Sequence, residues 1–193
     1  METAILKYTM ELLKKDYAPQ IALLGVQIPE ITSIPAVPFT QAKEMVAEKY
    51  NRRIRDPYDL EPEEEQLISR LFAEEYGSDF VFVTHYPSKK RPFYAMDDPD
   101  DPKKTLSFDL LFRGIEITTG GQRIHDYDAQ VAKMERLGMD PADFESYLMA
   151  HRNGLPPHGG LGIGLERLTM RLIGENNIRE ASLFPRDITR LLP

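Results

Sequence analysis

Two acidic residues, two arginines and a run of glycines carry the chemistry open to this sequence. Asp109 and Glu116 flank the Arg113-Gly114 pair in Phe108-Asp-Leu-Leu-Phe-Arg-Gly-Ile-Glu-Ile-Thr-Thr119. Apolar alternation on both sides of that pair predicts a β-hairpin. With Phe112 opposite Ile115, Leu111 faces Glu116 and Asp109 faces Thr118, so Asp109, Leu111, Glu116 and Thr118 share one face. The two carboxylates are then diagonal neighbours about 7 Å apart. Like charges that close repel unless a cation bridges them or one is protonated. A few oxygen ligands, completed by substrate phosphates, suit Mg²⁺; a solvated hairpin face fits the same pattern. Arg123 follows the Gly120-Gly121 pair. Its guanidinium is shaped to grip a carboxylate in two places, and a surface ion pair would use it as well. His125, taken alone, reads as a hydrogen-bonded structural residue.

The second chemical stretch is Leu155-Pro-Pro-His158 followed by Gly-Gly-Leu-Gly-Ile-Gly-Leu-Glu-Arg167. Gly159, Gly160, Gly162 and Gly164 allow a ligand or another segment to approach the backbone closely. From Gly164 the period becomes helical, with Leu165, Leu168, Thr169, Leu172 and Ile173 on one face and Gly174 at the C-terminal cap. Arg167 lies one turn into that helix. Glycines opening a helix suit an anion, because free N–H groups and the helix dipole favour negative charge; tight packing is the competing explanation.

These residues need a scaffold, and the rest of the chain supplies its elements. A helix from Met1 carries an apolar stripe of Ile5, Tyr8, Thr9, Leu12 and Leu13 and is broken or kinked at Pro19. Residues 25–39 read as an extended linker with Pro29, Pro35 and Pro38. A short helix from Thr40 turns Ala42, Met45 and Val46 inward. The Arg52-Arg53 and Arg55 cluster reads as a solvated turn. Glu61-Pro62-Glu-Glu-Glu65 starts a helix with acids at the positive dipole end and no assigned chemistry; Leu67, Ile68, Leu71 and Phe72 form its buried face and Gly77 stops it. Asp79-Phe-Val-Phe-Val-Thr84 is a strand inside a sheet. His85-Tyr-Pro and Arg91-Pro-Phe-Tyr94 form a rigid loop, and Asp97-Asp-Pro-Asp-Asp-Pro102 an acidic, solvent-facing turn. Two short scaffold helices follow: one marked by Val131, Met134 and Leu137, the other capped by Asp140-Pro141 with Phe144, Tyr147 and Leu148 buried.

Composition sets outer limits. The 193 residues are enough for one domain with a real core, with 41% hydrophobic and 28% charged residues. The net charge of −7 argues against a surface that binds nucleic acid all over, while leaving room for a local basic patch. The absence of cysteine excludes disulfides and thiolate–metal sites. Without a long apolar run or a signal-peptide pattern, no membrane partner is expected and a cytoplasmic location is the default.

The string Gly159–Arg167 resembles motif 3 of the class II aminoacyl-tRNA synthetases. The Phe108–His125 stretch, Pro-Pro-His158 and Asn177-Ile-Arg-Glu…Leu-Phe-Pro-Arg-Asp187 resemble the aspartyl/asparaginyl subgroup, subclass IIb. The resemblance covers nearly the whole chain. It implies an α+β fold, a mostly antiparallel sheet of six or seven strands flanked by helices. It also implies activation of an amino acid with ATP and Mg²⁺ and its transfer to tRNA, by an enzyme that forms homodimers. On this likeness Asp109 and Glu116 hold Mg²⁺ on the ATP phosphates with Thr119 nearby. Glu116, Gly162, Gly164 and Arg167 contact ATP, Arg167 being the catalytic arginine, while Arg123 reads the amino-acid side chain and His158 lines the pocket. Gln122-Arg123-Ile124-His125 resembles aspartyl enzymes more than asparaginyl ones, which usually carry an acidic residue soon after the arginine. Patterns matching an anticodon-binding domain, motif 1, the α-phosphate arginine of motif 2, and the family's early amino-acid-binding lysine and glutamine are not found. The expectation is therefore a single domain over 1–193, the C-terminal portion of a catalytic domain that needs a motif 1 and motif 2 half. A non-catalytic synthetase-like module, an asparaginyl-type enzyme and a small-acceptor amino-acid ligase are the alternatives.

Overall fold

The structure, a computed structural model, describes residues 1–192. Its centre is a five-stranded sheet in the order β1 (Ala36–Pro38), β2 (Phe80–Thr84), β3 (Ser107–Phe112), β4 (Ile115–Arg123) and β5 (His158–Ile163). β1 runs parallel to β2, and every other pairing is antiparallel. The α+β, mostly antiparallel expectation is met, with five strands among the described residues rather than six or seven. The helices are α1 (Glu2–Asp16), α2 (Ala18–Leu24), α3 (Phe39–Lys49), α4 (Pro62–Tyr76), α5 (Tyr127–Arg136), α6 (Glu145–Arg152) and α7 (Leu165–Leu172). Among the described residues, no helix is long and apolar enough to cross a membrane.

Strand alternation sends the sheet's side chains into two cores. On one face Val81, Val83 and Leu111 pack with Ile68, Leu71 and Phe72 of α4 and Phe39, Ala42 and Val46 of α3. On the other, Phe80, Leu110, Phe112 and Ile117 pack with Leu6 and Met10 of α1, while Leu168 and Leu172 of α7 close the edge. The Phe80 and Phe112 rings stack at 4.3 Å. The stripe read for α1 is thus rotated: Leu6, Met10 and Leu13 face inward, while Ile5 and Tyr8 are 45% and 65% exposed. Periodicity shows that a helix has an apolar side, but when apolar residues surround it the sheet decides which side. For the same reason Leu165 of α7 is exposed.

Arg113 (φ 45°) and Gly114 (φ 94°) both take the left-handed region, as a two-residue hairpin turn requires. The hairpin holds one surprise. Phe112 pairs with Ile115 and Leu111 with Glu116, but Leu110 pairs with Thr118 and Asp109 with Thr119. One extra residue on β4 makes a β-bulge. The residue opposite Asp109 is therefore Thr119, and Thr118 turns to the other face beside Leu110. Simple alternation cannot see a bulge.

The acidic run at the start of α4 divides its labour. Glu61 and Glu64 form a capping box, and Glu64 (1% exposed) also takes the buried Lys43 ammonium at 2.6 Å. Lys43 further donates to the Asp56 and Asp59 carbonyls. Arg52, read as part of a solvated turn, instead pairs with Glu61 and Glu63. The acidic turn is likewise less exposed than its composition suggests: Asp97 accepts from Ser88, Lys133 and Arg136.

Candidate active site

With the bulge in place, one face of the sheet carries Asp109 on β3, Glu116, Thr119, Gly121 and Arg123 on β4, and Gly160 and Gly162 on β5. A cleft of about 530 Å³ opens here, lined on one side by Lys90, Arg91 and Tyr94 and floored by Ser107, Gly121, Gly160 and Gly162. It lies where α3 and α4 no longer cover the sheet.

The far wall is a loop braced from α5. Gln130 donates to the Phe93 carbonyl, and Lys133 to the Ala95 carbonyl and the Asp97 carboxylate; both side chains are buried. Ser88 completes the brace through Asp97. Thus held, Arg91 lies over the Tyr86 ring, 3.8 Å from its centroid, and donates to Asp109 Oδ2 at 2.6 Å and Thr119 Oγ1 at 3.1 Å. Asp109 is 5% exposed, and its Oδ1 is buried with no partner among the described residues. The Tyr86 hydroxyl beside this pair is pushed well above its ordinary pKa, by burial first and then by the Asp109 charge.

A second carboxylate–guanidinium pair stands next to the first. Arg167 reaches back from α7 and donates to the Glu116 carbonyl at 2.9 Å and to Glu116 Oε1 at 3.2 Å. Burial, and then the Asp109 charge, raise the Glu116 carboxyl above its usual range, with Arg167 and Arg91 opposing the shift. Glu65 of α4 is the third acid here. Its Oε2 accepts the Glu116 N–H at 3.1 Å, and burial pushes its carboxyl up to about 7 against that hydrogen bond. The repulsion expected of two close carboxylates is therefore met in this structure by arginines.

Arg123 is held differently. One face of its guanidinium lies 4.8 Å from the centroid of the Tyr94 ring. The other lies on Gly160, where an added Cβ would stand 3.0 Å from a guanidinium nitrogen. Among the described residues no carboxylate pairs with it. A planar cation fixed on both faces, with its N–H edge left for a ligand, suits a bidentate carboxylate.

The structure gathers Asp109, Glu116, Thr119, Arg123, Gly162 and Arg167 from four elements. It does not bring His158 into the cleft. His158 is paired in register with Arg123, yet its Nδ1 lies 3.0 Å from the Pro156 carbonyl and its side chain lines a separate groove with Met1, Phe108 and Leu161. Gly164 is outside the lining too: its N–H donates to the Ile117 carbonyl at 2.7 Å, setting the angle of α7. Arg91 and Glu65 went unassigned in the sequence. A proline-flanked loop has no periodicity to aim Arg91, and Glu65 was hidden among acids that suit a helix N-terminus.

The donors fit a hard divalent cation. Asp109, Glu116 and Thr119 offer only oxygen, and Asp109 Oδ1 has no other partner. Among the described residues no cluster of three His, Cys, Asp or Glu side chains could hold a metal. Two carboxylates completed by substrate phosphates is the usual arrangement for Mg²⁺.

The chain belongs to the class II tRNA synthetases (D, K and N), whose family model matches residues 1–188. The aspartate–tRNA(Asp/Asn) ligase of Deinococcus radiodurans is 45% identical over 199 residues, spanning 100% of this chain and 46% of that protein. The aspartate–tRNA(Asp/Asn) ligase of Aeropyrum pernix is 44% identical over 186 residues, spanning 95% and 42%. Among solved structures, the aspartyl-tRNA synthetase of Entamoeba histolytica superposes with a TM-score of 0.92 at 34% identity, covering 100% of this chain and 40% of that one. The asparaginyl-tRNA synthetase of Pyrococcus horikoshii, complexed with asparaginyl-adenylate, gives 0.87 at 30% identity, covering 100% and 44%. The chain spans less than half the length of the curated relatives named here.

Proposed function

We propose that this chain is the catalytic segment of an aspartate–tRNA ligase, activating aspartate with ATP and Mg²⁺ and passing it to tRNA together with a motif 1 and motif 2 segment. The observation that carries the reading is Arg123, fixed between Tyr94 and Gly160 in the cleft without an acidic partner among the described residues. Aspartate's side-chain carboxylate offers a guanidinium two acceptors, whereas asparagine offers one acceptor and an NH₂ that opposes it. The names of the relatives point the same way.

In the reaction, the α-carboxylate of aspartate forms a bond to the α-phosphorus of ATP as the bond to pyrophosphate breaks. A tRNA hydroxyl then takes the aspartyl group and AMP leaves. Arg123 holds the substrate side chain so that its α-carboxylate faces the phosphates, and the glycine floor at Gly160 and Gly162 lets the adenylate lie close to β5. Arg167 exchanges Glu116 for a phosphate oxygen. Asp109 and Glu116, with Thr119 nearby, would hold Mg²⁺. The ion's contribution is to neutralise phosphate charge that grows in the transition state.

The test is amino-acid-dependent exchange of pyrophosphate into ATP, with this chain supplied with the motif 1 and motif 2 segment of a relative. Exchange is expected with aspartate and not with asparagine. Equal or better exchange with asparagine would move the chain to the asparaginyl branch. No exchange with either, from a folded protein that binds ATP, would make it a non-catalytic module.

A further inference from the structure

The bulge leaves Glu116 in an unusual position. It sits opposite Leu111 across the hairpin, and its main-chain N–H and C=O both point away from β3. In an antiparallel sheet the next strand would satisfy them. That strand, β5, has already ended: its ladder with β4 starts at Thr118 opposite Ile163, and Gly164 adds one bond to β4, from its N–H to the Ile117 carbonyl, before α7 begins. Two side chains take the strand's place. Glu65 Oε2 accepts the Glu116 N–H at 3.1 Å, and Arg167 Nη1 donates to the Glu116 carbonyl at 2.9 Å.

The geometry points to Glu65 as the positioning residue for Glu116: from α4 its carboxylate stands in for the absent strand and fixes the peptide that aims the Glu116 side chain at the cleft. The inference rests on the reading of Glu116 as a ligand-binding carboxylate. It deepens that reading, because the two tethers are not equivalent. Arg167 is bound to both the carbonyl and the carboxylate of Glu116. On the mechanism above it leaves for a phosphate. Glu65 then remains as the tether that keeps Glu116 on the Asp109 side of the sheet. A buried N–H without a partner is costly, so the site needs an acceptor at this point. What it needs from Glu65 is an oxygen at hydrogen-bond distance, which an amide side chain also supplies.

The experiment uses the full chain and two variants, Glu65→Ala and Glu65→Gln. Amide hydrogen exchange by NMR reads the tether directly, and calorimetry with ATP and Mg²⁺, on the chain supplied with the motif 1 and motif 2 segment of a relative, reads its consequence. In Glu65→Ala the Glu116 amide should exchange about tenfold faster, while Leu110 and Phe112 of β3 keep their protection. ATP binding in Mg²⁺ should weaken by a similar factor, about tenfold, with the loss absent when Mg²⁺ is omitted. In Glu65→Gln both quantities should return to within about twofold of the parent chain. A Glu116 amide as protected in Glu65→Ala as in the parent would overturn the inference. So would Glu65→Gln behaving like Glu65→Ala, since charge rather than hydrogen-bond acceptance would then be at work. Should Glu65→Ala not fold, the parent chain still decides: a Glu116 amide exchanging at the free-chain rate sinks the tether. Failure of the parent, supplied with that segment, to bind ATP in Mg²⁺ would count against the function proposed for the site, while the exchange measurement would still judge Glu65.

Discussion

Glu64 and Glu65 are neighbours on α4, and they end in opposite kinds of surroundings. Glu64 points into the core, where its Oε2 takes both the Lys43 ammonium and the Glu61 N–H, and Lys43 gives its other two hydrogens to two carbonyls. Glu65 points across the sheet to a site where Asp109 Oδ1 has no partner and Arg167 divides itself between two groups of Glu116. Both regions contain buried or half-buried charge. Completeness separates them. A pair that leaves no buried side-chain atom without a partner holds a fold in one arrangement, whereas a site with loose ends beside a cleft is arranged for something to join it.

Experiments can break that comparison, and the largest effect is expected in the closed network. Lys43→Met leaves Glu64 buried without its cation and should lower unfolding free energy by about 3–5 kcal/mol. Urea denaturation measures it; a loss under about 1 kcal/mol would put the pair in the class of surface ion pairs and end the contrast. Next comes Arg123→Leu in the open region. It removes one partner of the expected desolvated carboxylate pair and should cost aspartate activation about 2–5 kcal/mol of transition-state free energy, read as pyrophosphate exchange. Unchanged exchange would remove Arg123 from the site. Asp109→Asn should weaken Mg²⁺-dependent ATP binding about tenfold, with far-ultraviolet circular dichroism unchanged. Arg167→Lys keeps the charge and loses the planar fork, so ATP affinity should drop a few-fold in calorimetry. Its exposed pairing with Glu116 predicts a stability change of less than about 1 kcal/mol.

The smallest effect sharpens the rule on a third acid. Glu2 on α1 is 5% exposed, and among the described residues neither of its oxygens has a partner; Thr118 lies near without reaching hydrogen-bond geometry. Burial raises its carboxyl above the usual 4.5, with Thr118 opposing. The folded state therefore favours the protonated acid. Ionisation costs stability in full above the folded pKa, and the cost fades as pH falls through that pKa toward the unfolded value. Glu2→Gln should stabilise the chain by about 1 kcal/mol at pH 7 and by nothing at pH 4. Thermal unfolding at the two pH values checks the sign, and equal shifts at both would show that ionisation is not involved.

Several of these sites were readable from residue order alone. Arg113-Gly114 between alternating apolar runs located the hairpin, and the glycine string located β5 and α7. Asp109 and Glu116 were placed on one face because the extra residue is on β4 beyond Glu116: Asp109 and Leu111 alternate on an unbulged strand, and Glu116 stands opposite Leu111. Thr118 was misplaced because a bulge is a local surplus of backbone with no side-chain signature. Arg91 was invisible for another reason: its direction is set by Gln130 and Lys133, some forty residues away. Glu65 was masked by good local sense, since acids at a helix start need no other explanation. The α1 face failed because Ile5 and Tyr8 are as apolar as Leu6 and Met10, and only the shape of Phe80, Leu110 and Ile117 chooses between them.

The bulge in β4 also acts as a change of parity. Before it, even-numbered Glu116 faces the cleft; after it, odd-numbered Thr119, Gly121 and Arg123 do. Adding one residue between Glu116 and Thr119, with the bulge kept, would shift every later residue of the strand by one place. The segment beyond would then be turned over: Arg123 would go to the groove side and Gln122 would take its place facing Tyr94. The site depends on its residue count as much as on its residue types, and the chain can be switched off there by a length change that leaves every chemical group present.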